Sequence, residues 1–425
     1  MISFIEARKM WLRVGLLSFG GPAGQIAMLH KEVIDQRQLI SEKEFLSALN
    51  FCMLLPGPEA MQLATYVGWK MHGLKGGLVA GLLFVLPGAI TLYVLSTLYV
   101  LFGKLPLVEA LFWGVKSAVL VVVIEALLRV SKRALKGQLD YAIAGLAFVA
   151  LFCFALPFPL VVAAAGVFGY FWSNKTTVEI QSSTPLPPTI DTLKRLGAWL
   201  VVWFAPLLVI VASFGRDHVY SQLAWFFSKL AIVTFGGAYA VLSYMGQDVV
   251  EAHHWLSAPQ MMDGLGLAET TPGPLILVGQ FVGFLAANKA QGDLLSGFVG
   301  GGIFLWMTFV PCFLWIFVGA PYVEYLQGNA QISQALAKIT AAVVGVILNL
   351  SLWFGLHVLF GDVQRLDGIV PMWWPTLGGF DGAALVLAII AGFALLRFHM
   401  GMVKTLALSA TLGILWKLAV PHLIG

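Results

Sequence analysis

Apolar residues fall in long runs from one end of the chain to the other, separated by short polar stretches. Thirteen such segments can be counted, centred near residues 14–29, 45–66, 77–102, 108–128, 139–156, 158–172, 196–214, 226–245, 261–286, 294–319, 332–360, 381–396 and 403–419. Many approach the roughly 20 residues a helix needs to cross a bilayer. A membrane β-barrel would show short alternating segments instead, so the pattern predicts an all-α polytopic membrane protein. Composition strengthens this: 59% of the 425 residues are hydrophobic and 11% are charged, against about 25% charged in a soluble chain.

Helix breakers interrupt the runs, and the interruptions occur twice. Ser18-Phe19-Gly20-Gly21-Pro22 and Pro56-Gly57-Pro58 are answered by Thr234-Phe235-Gly236-Gly237 and Pro272-Gly273-Pro274. The offset is 216 for both, from 235 − 19 and from 272 − 56, which marks a duplicated unit. A polar stretch at 173–195, containing Pro185, Pro187 and Pro188, is the clear linker, and the seventh segment after it has no partner in the repeat. Six segments, one, then six turns the second half over relative to the first. The expected organisation is a repeat at 1–172, a linker plus unpaired helix at 173–216, and an inverted repeat at 217–425, a common build for secondary transporters.

Charge placement supports the inversion. The loop from His30 to Glu44 holds Lys31, Arg37 and Lys43, whereas its equivalent, Gly246 to Gln260, holds no Lys or Arg. Arg129, Lys132, Arg133 and Lys136 follow the fourth segment, while the equivalent loop holds only Arg365, beside Asp362 and Asp367. By the positive-inside rule, equivalent loops face opposite sides and the N-terminus is cytoplasmic. Keeping all the basic loops of the first half inside requires that its first two segments do not both cross. Re-entrant half-helices at the Phe-Gly-Gly and Pro-Gly-Pro breaks meet that requirement; kinked full spans are the alternative.

The breaks are also where chemistry is expected. Pro fits the first turn of a helix and Gly lets the backbone turn sharply. A half-helix begun there presents unpaired N–H groups and the positive end of its dipole, a ready anion site. Candidate binding residues are Arg13, Ser18, Phe19, Gly20, Gly21, Gln25, Asn50, Pro56, Gly57, Pro58 and Gln62 in the first half. In the second half they are Lys229, Thr234, Phe235, Gly236, Gly237, Thr270, Thr271, Pro272, Gly273, Pro274 and Gln280. Arg13 and Lys229 align at the same offset, and each could contact an anion or snorkel to the interface. Glu59, Lys116, Glu125 and Glu269 are charged residues inside apolar runs and are candidates for ion coupling, with structural roles as the alternative. Gly77/Gly81 and Gly297/Gly301 read as close helix packing.

Other chemistries find little support. No Walker sequence points to an ATP-driven pump. No nucleophile elbow or His/Cys cluster points to an enzyme, a metal or another cofactor. Cys52, Cys153 and Cys312 lie in apolar surroundings and read as packing residues, and His253-His254 reads as a solvated loop pair.

At "GLLSFGGPAGQIAML", "LLPGPEAMQLATYVG", "LAIVTFGGAYAVLSYMGQDVVEAHHWLS" and "AETTPGPLILVGQFVGF" the sequence resembles the chromate ion transporter family in its long two-domain form. The resemblance covers roughly 4–172 and 217–419. It implies export of chromate across the bacterial inner membrane, conferring chromate resistance, with sulfate as the look-alike dianion. A sulfate or general oxyanion transporter, or an anion channel using the same half-helix sites, is the alternative. The expected partners are the oxyanion, the lipid bilayer and a coupling ion (proton or counter-anion), with no nucleic acid; a homodimer is left open. Two positions depart from the family pattern: Leu39, where Trp is expected and Trp255 supplies it in the second half, and the acidic Glu59, where a neutral polar residue is usual.

Overall fold

The computed structural model describes residues 2–172, 188–233, 237–323, 330–366 and 372–419. These residues are built almost wholly of helices, five of them long and apolar enough to cross a bilayer. The expectation of an all-α fold needs one addition. Val363–Leu366 pairs antiparallel with Met372–Pro375, Gln364 opposite Trp374, in a segment rich in branched and aromatic strand formers.

The chain forms two compact units, each drawn from both halves of the sequence. The first comprises Met1–Ser96, Tyr170–Val241 and Thr271–Leu336; the second comprises Thr97–Gly169, Leu242–Thr270 and Ala337–Gly425.

In the first unit the leading helix, Phe4–Leu17, is started by a capping box in which Ser3 and Glu6 satisfy each other's backbone N–H groups. It has 14 residues and stops at Ser18; the next helix, Gly21–His30, has ten, with Pro22 in its first turn. At about 1.5 Å per residue neither alone covers the roughly 30 Å of a bilayer core. Glu42–Leu54, capped by Ser41 and Glu44, has 13 residues and ends at the first Pro-Gly-Pro. The helix written Glu59–Phe102 is a hairpin: His72 and Gly73 leave helical geometry, Gly73 at φ +61°. Its arms meet through Gly68 and Gly76. A Cβ on Gly68 would lie 2.5 Å from the Gly76 carbonyl oxygen, so only Gly allows the approach.

The same sequence of elements recurs after the second Pro-Gly-Pro. A single tight turn, Leu275–Leu277, leads into Val278–Gln291, then Gly292 turns the chain at φ +82° into Leu294–Gly319. Here Gly283 and Gly300 make the close approach. The small-residue pairs expected to pack closely do so, but what they receive is aromatic. Gly77 and Gly81 accommodate Phe317 and Phe313, Gly297 accommodates Phe284, and Gly301 accommodates Tyr93. Helix Thr189–Phe214 lies along Leu294–Gly319, with Trp199 stacked on Phe313 and Trp306 Nε1 donating to the Val202 carbonyl at 3.0 Å.

Local structure repeats at the offset the sequence gives. Helix Glu42–Leu54 answers to Ala258–Thr270, both bounds shifted by 216. Gln38 and His254, also 216 apart, are both non-Gly residues at positive φ, +48° and +51°. The bond from Leu39 N–H to the Val33 carbonyl matches that from Trp255 N–H to Val249. Ser41 with Glu44 matches Ser257 with Gln260.

The second unit is held by equally close helix contacts. Gly114 of Pro106–Ala134 meets the Ser409 carbonyl and Gly413 of Met402–Ala419, and Gly345 of Ala330–Leu359 meets the Ala144 carbonyl of Gln138–Phe152. Two lysines in this unit carry ion pairs, half-buried Lys116 with Asp263 at 3.4 Å and buried Lys338 with Asp140 at 2.6 Å.

Candidate functional site

A small cleft in the first unit collects the start of a helix from each of the four breaks. Pro22 and Gln25 come from the first Phe-Gly-Gly element, and Gly57, Pro58, Glu59 and Ala60 from the first Pro-Gly-Pro. Gly237 and Ala238 come from the second Phe-Gly-Gly, and Pro274, Leu275 and Ile276 from the second Pro-Gly-Pro. Every one of these stretches is the first turn of a helix or the residues just before it. First-turn N–H groups have no carbonyl in a preceding turn to receive them, and a helix start carries the positive end of the dipole.

Glycine makes the turns possible. Gly20, Gly21, Gly57, Gly237 and Gly273 lie at φ +87°, +69°, +123°, +93° and +91°. The breaks are then fastened to one another. Gly273 N–H donates to the Ser18 carbonyl at 2.8 Å, and Gln25 Nε2 donates to the Gly273 carbonyl at 2.5 Å and to the Ser18 carbonyl at 3.4 Å. Two further glutamines, both fully buried, hold backbone in the same way: Gln62 Nε2 donates to the Pro56 carbonyl at 2.7 Å and Gln280 Nε2 to the Ala89 carbonyl at 2.9 Å. In both, Oε1 has no hydrogen-bond partner among the described residues. On the outer side of the breaks, Gly57 backs onto Cys312 and Gly88 onto the Pro272 carbonyl.

The remaining candidates scatter. Ser18 is buried and its hydroxyl donates to the Val14 carbonyl, while Phe19 is 39% exposed. Asn50 is exposed. Thr270 donates to the Leu267 carbonyl, and Thr271 is buried beside Pro272. Arg13 is exposed and pairs with Glu32 at 3.6 Å, and Lys229 is exposed. Neither lines the cleft; among its described residues there is no Lys or Arg, and Glu59 is the one ionisable side chain. Thr234, Phe235 and Gly236 lie outside the described residues. Of the other coupling candidates, Glu125 pairs with Arg129 one helical turn away, Glu269 is buried at the end of Ala258–Thr270, and Lys116 pairs with Asp263.

Sequence reasoning missed Asp263 and its second partner, Tyr99, whose hydroxyl donates to Oδ2 at 2.8 Å. The rule that singled out Glu269 applies equally to Asp263, a charge inside the 261–286 run. Its repeat equivalent is Ser47 (263 − 216), so the duplication gave no hint.

Comparison with known proteins adds the family. A family model described as chromate transporter matches residues 5–170 and 221–414. A probable chromate transport protein of Synechococcus elongatus is 27% identical, covering 92% of this chain and 95% of its own. Chromate transport proteins of Cupriavidus metallidurans and Pseudomonas aeruginosa are 28% and 30% identical, covering 79% and 81% of this chain and 79% and 80% of theirs. No solved structure matches the chain.

Proposed function

The chain belongs to the chromate transporter family, and we propose that it is a secondary transporter that exports chromate, a tetrahedral dianion, across the bacterial inner membrane and so confers chromate resistance. The observation that carries this reading is the meeting of four helix starts, two from each half of the chain, in one cleft. Each helix N-terminus is worth about half an elementary charge, so the four together supply roughly two positive charges, the complement of a dianion. The positive potential comes from backbone, which suits a transporter: a buried lysine would bind the anion and also hold it. Export needs release as much as capture.

Glu59 has a defined place in this scheme. Its carboxylate sits at the first turn of a helix that opens on the cleft, where it would cancel about half of the positive potential. It therefore weakens oxyanion binding, and tunes the site toward turnover rather than retention. Gln25 fixes the cleft wall; its Nε2 is engaged with Ser18 and Gly273, so its contribution is to hold two breaks in register. Sulfate, with the same shape and charge, is the natural competitor.

The test is uptake of labelled chromate into inverted membrane vesicles. Accumulation that sulfate competes with and that fails when the pH gradient is collapsed at clamped membrane potential is the expected result. Movement that only follows the chromate gradient at clamped potential would make the protein an anion channel. No movement above that of vesicles lacking the protein would remove the transport reading.

A further inference from the structure

The second unit contains an ionic cluster that the cleft does not use. Asp263 stands in the helix Ala258–Thr270 and is 5% exposed. Tyr99, near the end of Glu59–Phe102, donates its hydroxyl to Oδ2 at 2.8 Å. Lys116, on Pro106–Ala134, brings Nζ to 3.4 Å from Oδ1, and no hydrogen bond reaches that oxygen among the described residues.

This is an expensive arrangement for a merely structural contact. A buried carboxylate oxygen that no hydrogen bond reaches is costly to keep, more so when it is charged. A buried ion pair is rarely more stabilising than apolar packing of the same volume. Ionisable groups kept inside membrane segments mark ion and proton pathways. The charge also belongs to one copy of the repeat only, since Ser47 occupies the equivalent place.

The surroundings limit what Asp263 can bind. Pro106–Ala134 and Met402–Ala419 pack against Ala258–Thr270, and Glu59–Phe102 reaches it through Tyr99. Pro106–Ala134 offers Lys116 and, in its first turn, Glu109, which is exposed. The charged residues of Met402–Ala419 are occupied elsewhere: Lys404 is exposed and Lys417 lies over the Trp113 ring at 4.9 Å. A single carboxylate with an ammonium group on one side cannot coordinate a metal cation. It can take a proton.

We infer that Oδ1 of Asp263 is the proton-binding site through which oxyanion transport is coupled to the pH gradient, with Lys116 as its counter-charge. The inference rests on the transport reading above. The step is simple: a proton adds to Oδ1, an O–H bond forms, and no bond breaks. The pair goes from neutral overall to a charge of +1, carried by Lys116. Its attraction to Asp263 is then lost, and Ala258–Thr270 is released from Pro106–Ala134. Tyr99 keeps its bond to Oδ2 in both states and so fixes which oxygen receives the proton. The movement reaches the transport machinery through the chain itself, because Ala258–Thr270 runs directly into residues 271–274, where Gly273 forms the bonds to Ser18 and Gln25.

The experiment uses the full-length protein in proteoliposomes, with labelled sulfate or chromate as probe and the membrane potential clamped. Three quantities are read: equilibrium exchange without a gradient, accumulation driven by an imposed pH gradient, and proton flux from an internal dye. Asp263→Asn should retain exchange and lose both gradient-driven accumulation and oxyanion-dependent proton flux. Tyr99→Phe should keep coupling but shift the pH at which accumulation is half-maximal. An Asp263→Asn protein that still accumulates the probe and moves protons overturns the inference. Should Asp263→Asn fail to insert, the wild type and Tyr99→Phe decide. A wild type that exchanges the probe but ignores the pH gradient, or a Tyr99→Phe profile identical to wild type, overturns it. A wild type without exchange removes the transport reading itself, a result distinct from exchange without coupling.

Discussion

The cleft glycines allow a graded prediction, because the structure separates backbone strain from crowding. Gly237 sits at φ +93° with nothing within 4 Å of the position a Cβ would take. Gly273, at φ +91°, would bring a Cβ to 3.3 Å from Leu277 Cδ1, a tight but yielding contact. Gly57, at φ +123°, would put it 2.7 Å from Gln62 Nε2 and 2.8 Å from Cys312 Sγ, both too close. An L-residue held in such a conformation costs about 1–3 kcal/mol, equivalent to about a 5- to 150-fold loss of affinity if the strain falls on the binding conformation. Overpacking adds about 1–3 kcal/mol at Gly57 alone. Binding of labelled chromate or sulfate to purified protein should thus weaken in all three Ala variants, least for Gly237→Ala and most for Gly57→Ala. Pairing Gly57→Ala with Cys312→Ala should recover part of the steric loss and none of the backbone loss. Immunoblots of membranes and thermal unfolding control for insertion and stability. Wild-type affinity in a Gly57→Ala, Gly273→Ala double variant would refute the reasoning, reducing the Pro-Gly-Pro breaks to kinks.

Glu59→Gln should tighten oxyanion binding by about tenfold or more, ~1.4 kcal/mol, and slow release; unchanged affinity in a direct binding assay would take Glu59 out of the site's electrostatics. Arg13→Gln and Lys229→Gln should leave affinity within about twofold, because exposed charges contribute little and neither residue lines the cleft; a large loss would return them to the binding site. Single cysteines at Gln36 and Ala252, both exposed, in a background lacking Cys52, Cys153 and Cys312, should label from opposite sides of the membrane, Gln36 from the cytoplasm; labelling of both from one side would end the inverted arrangement. Lys70 and the Ser41 backbone hold the Glu44 carboxyl down at about 2, from an ordinary 4.5. Stability from this contact is therefore present above about pH 4.5 and lost as the pH falls toward 2. The effect is small because both groups are half-exposed, and Glu44→Gln should flatten it in acid unfolding of the detergent-solubilised protein.

What the sequence could and could not reveal follows from the kind of information each feature carries. The breaks were legible because Gly and Pro act through local backbone geometry, and local geometry is written in consecutive residues. The same holds for Ser41 with Glu44 and Ser257 with Gln260, whose caps recur at the offset of the motifs. Convergence of four helix starts on one cleft was not legible, since periodicity says where a helix begins and not what it faces. Side-chain contacts were not legible for a related reason. Arg13 and Lys229 aligned well, but alignment within a repeat preserves a position, not a contact, and Arg13 turns to Glu32 instead. Gln25 was read as a donor to the anion, yet its donors reach the Gly273 and Ser18 carbonyls. That reversal has a physical basis. Breaking a helix inside a membrane leaves carbonyls as well as N–H groups unpaired, and each must find a partner where there is no water. If an anion is to receive the N–H groups, the carbonyls need donors of their own. Gln25 serves Ser18 and Gly273, and Gln62 serves Pro56. These glutamines are therefore as necessary to an anion site made of backbone as the glycines that open it: Gln62→Leu, which alters no residue lining the cleft, should weaken oxyanion binding to the purified protein, and wild-type affinity in that variant would refute the argument.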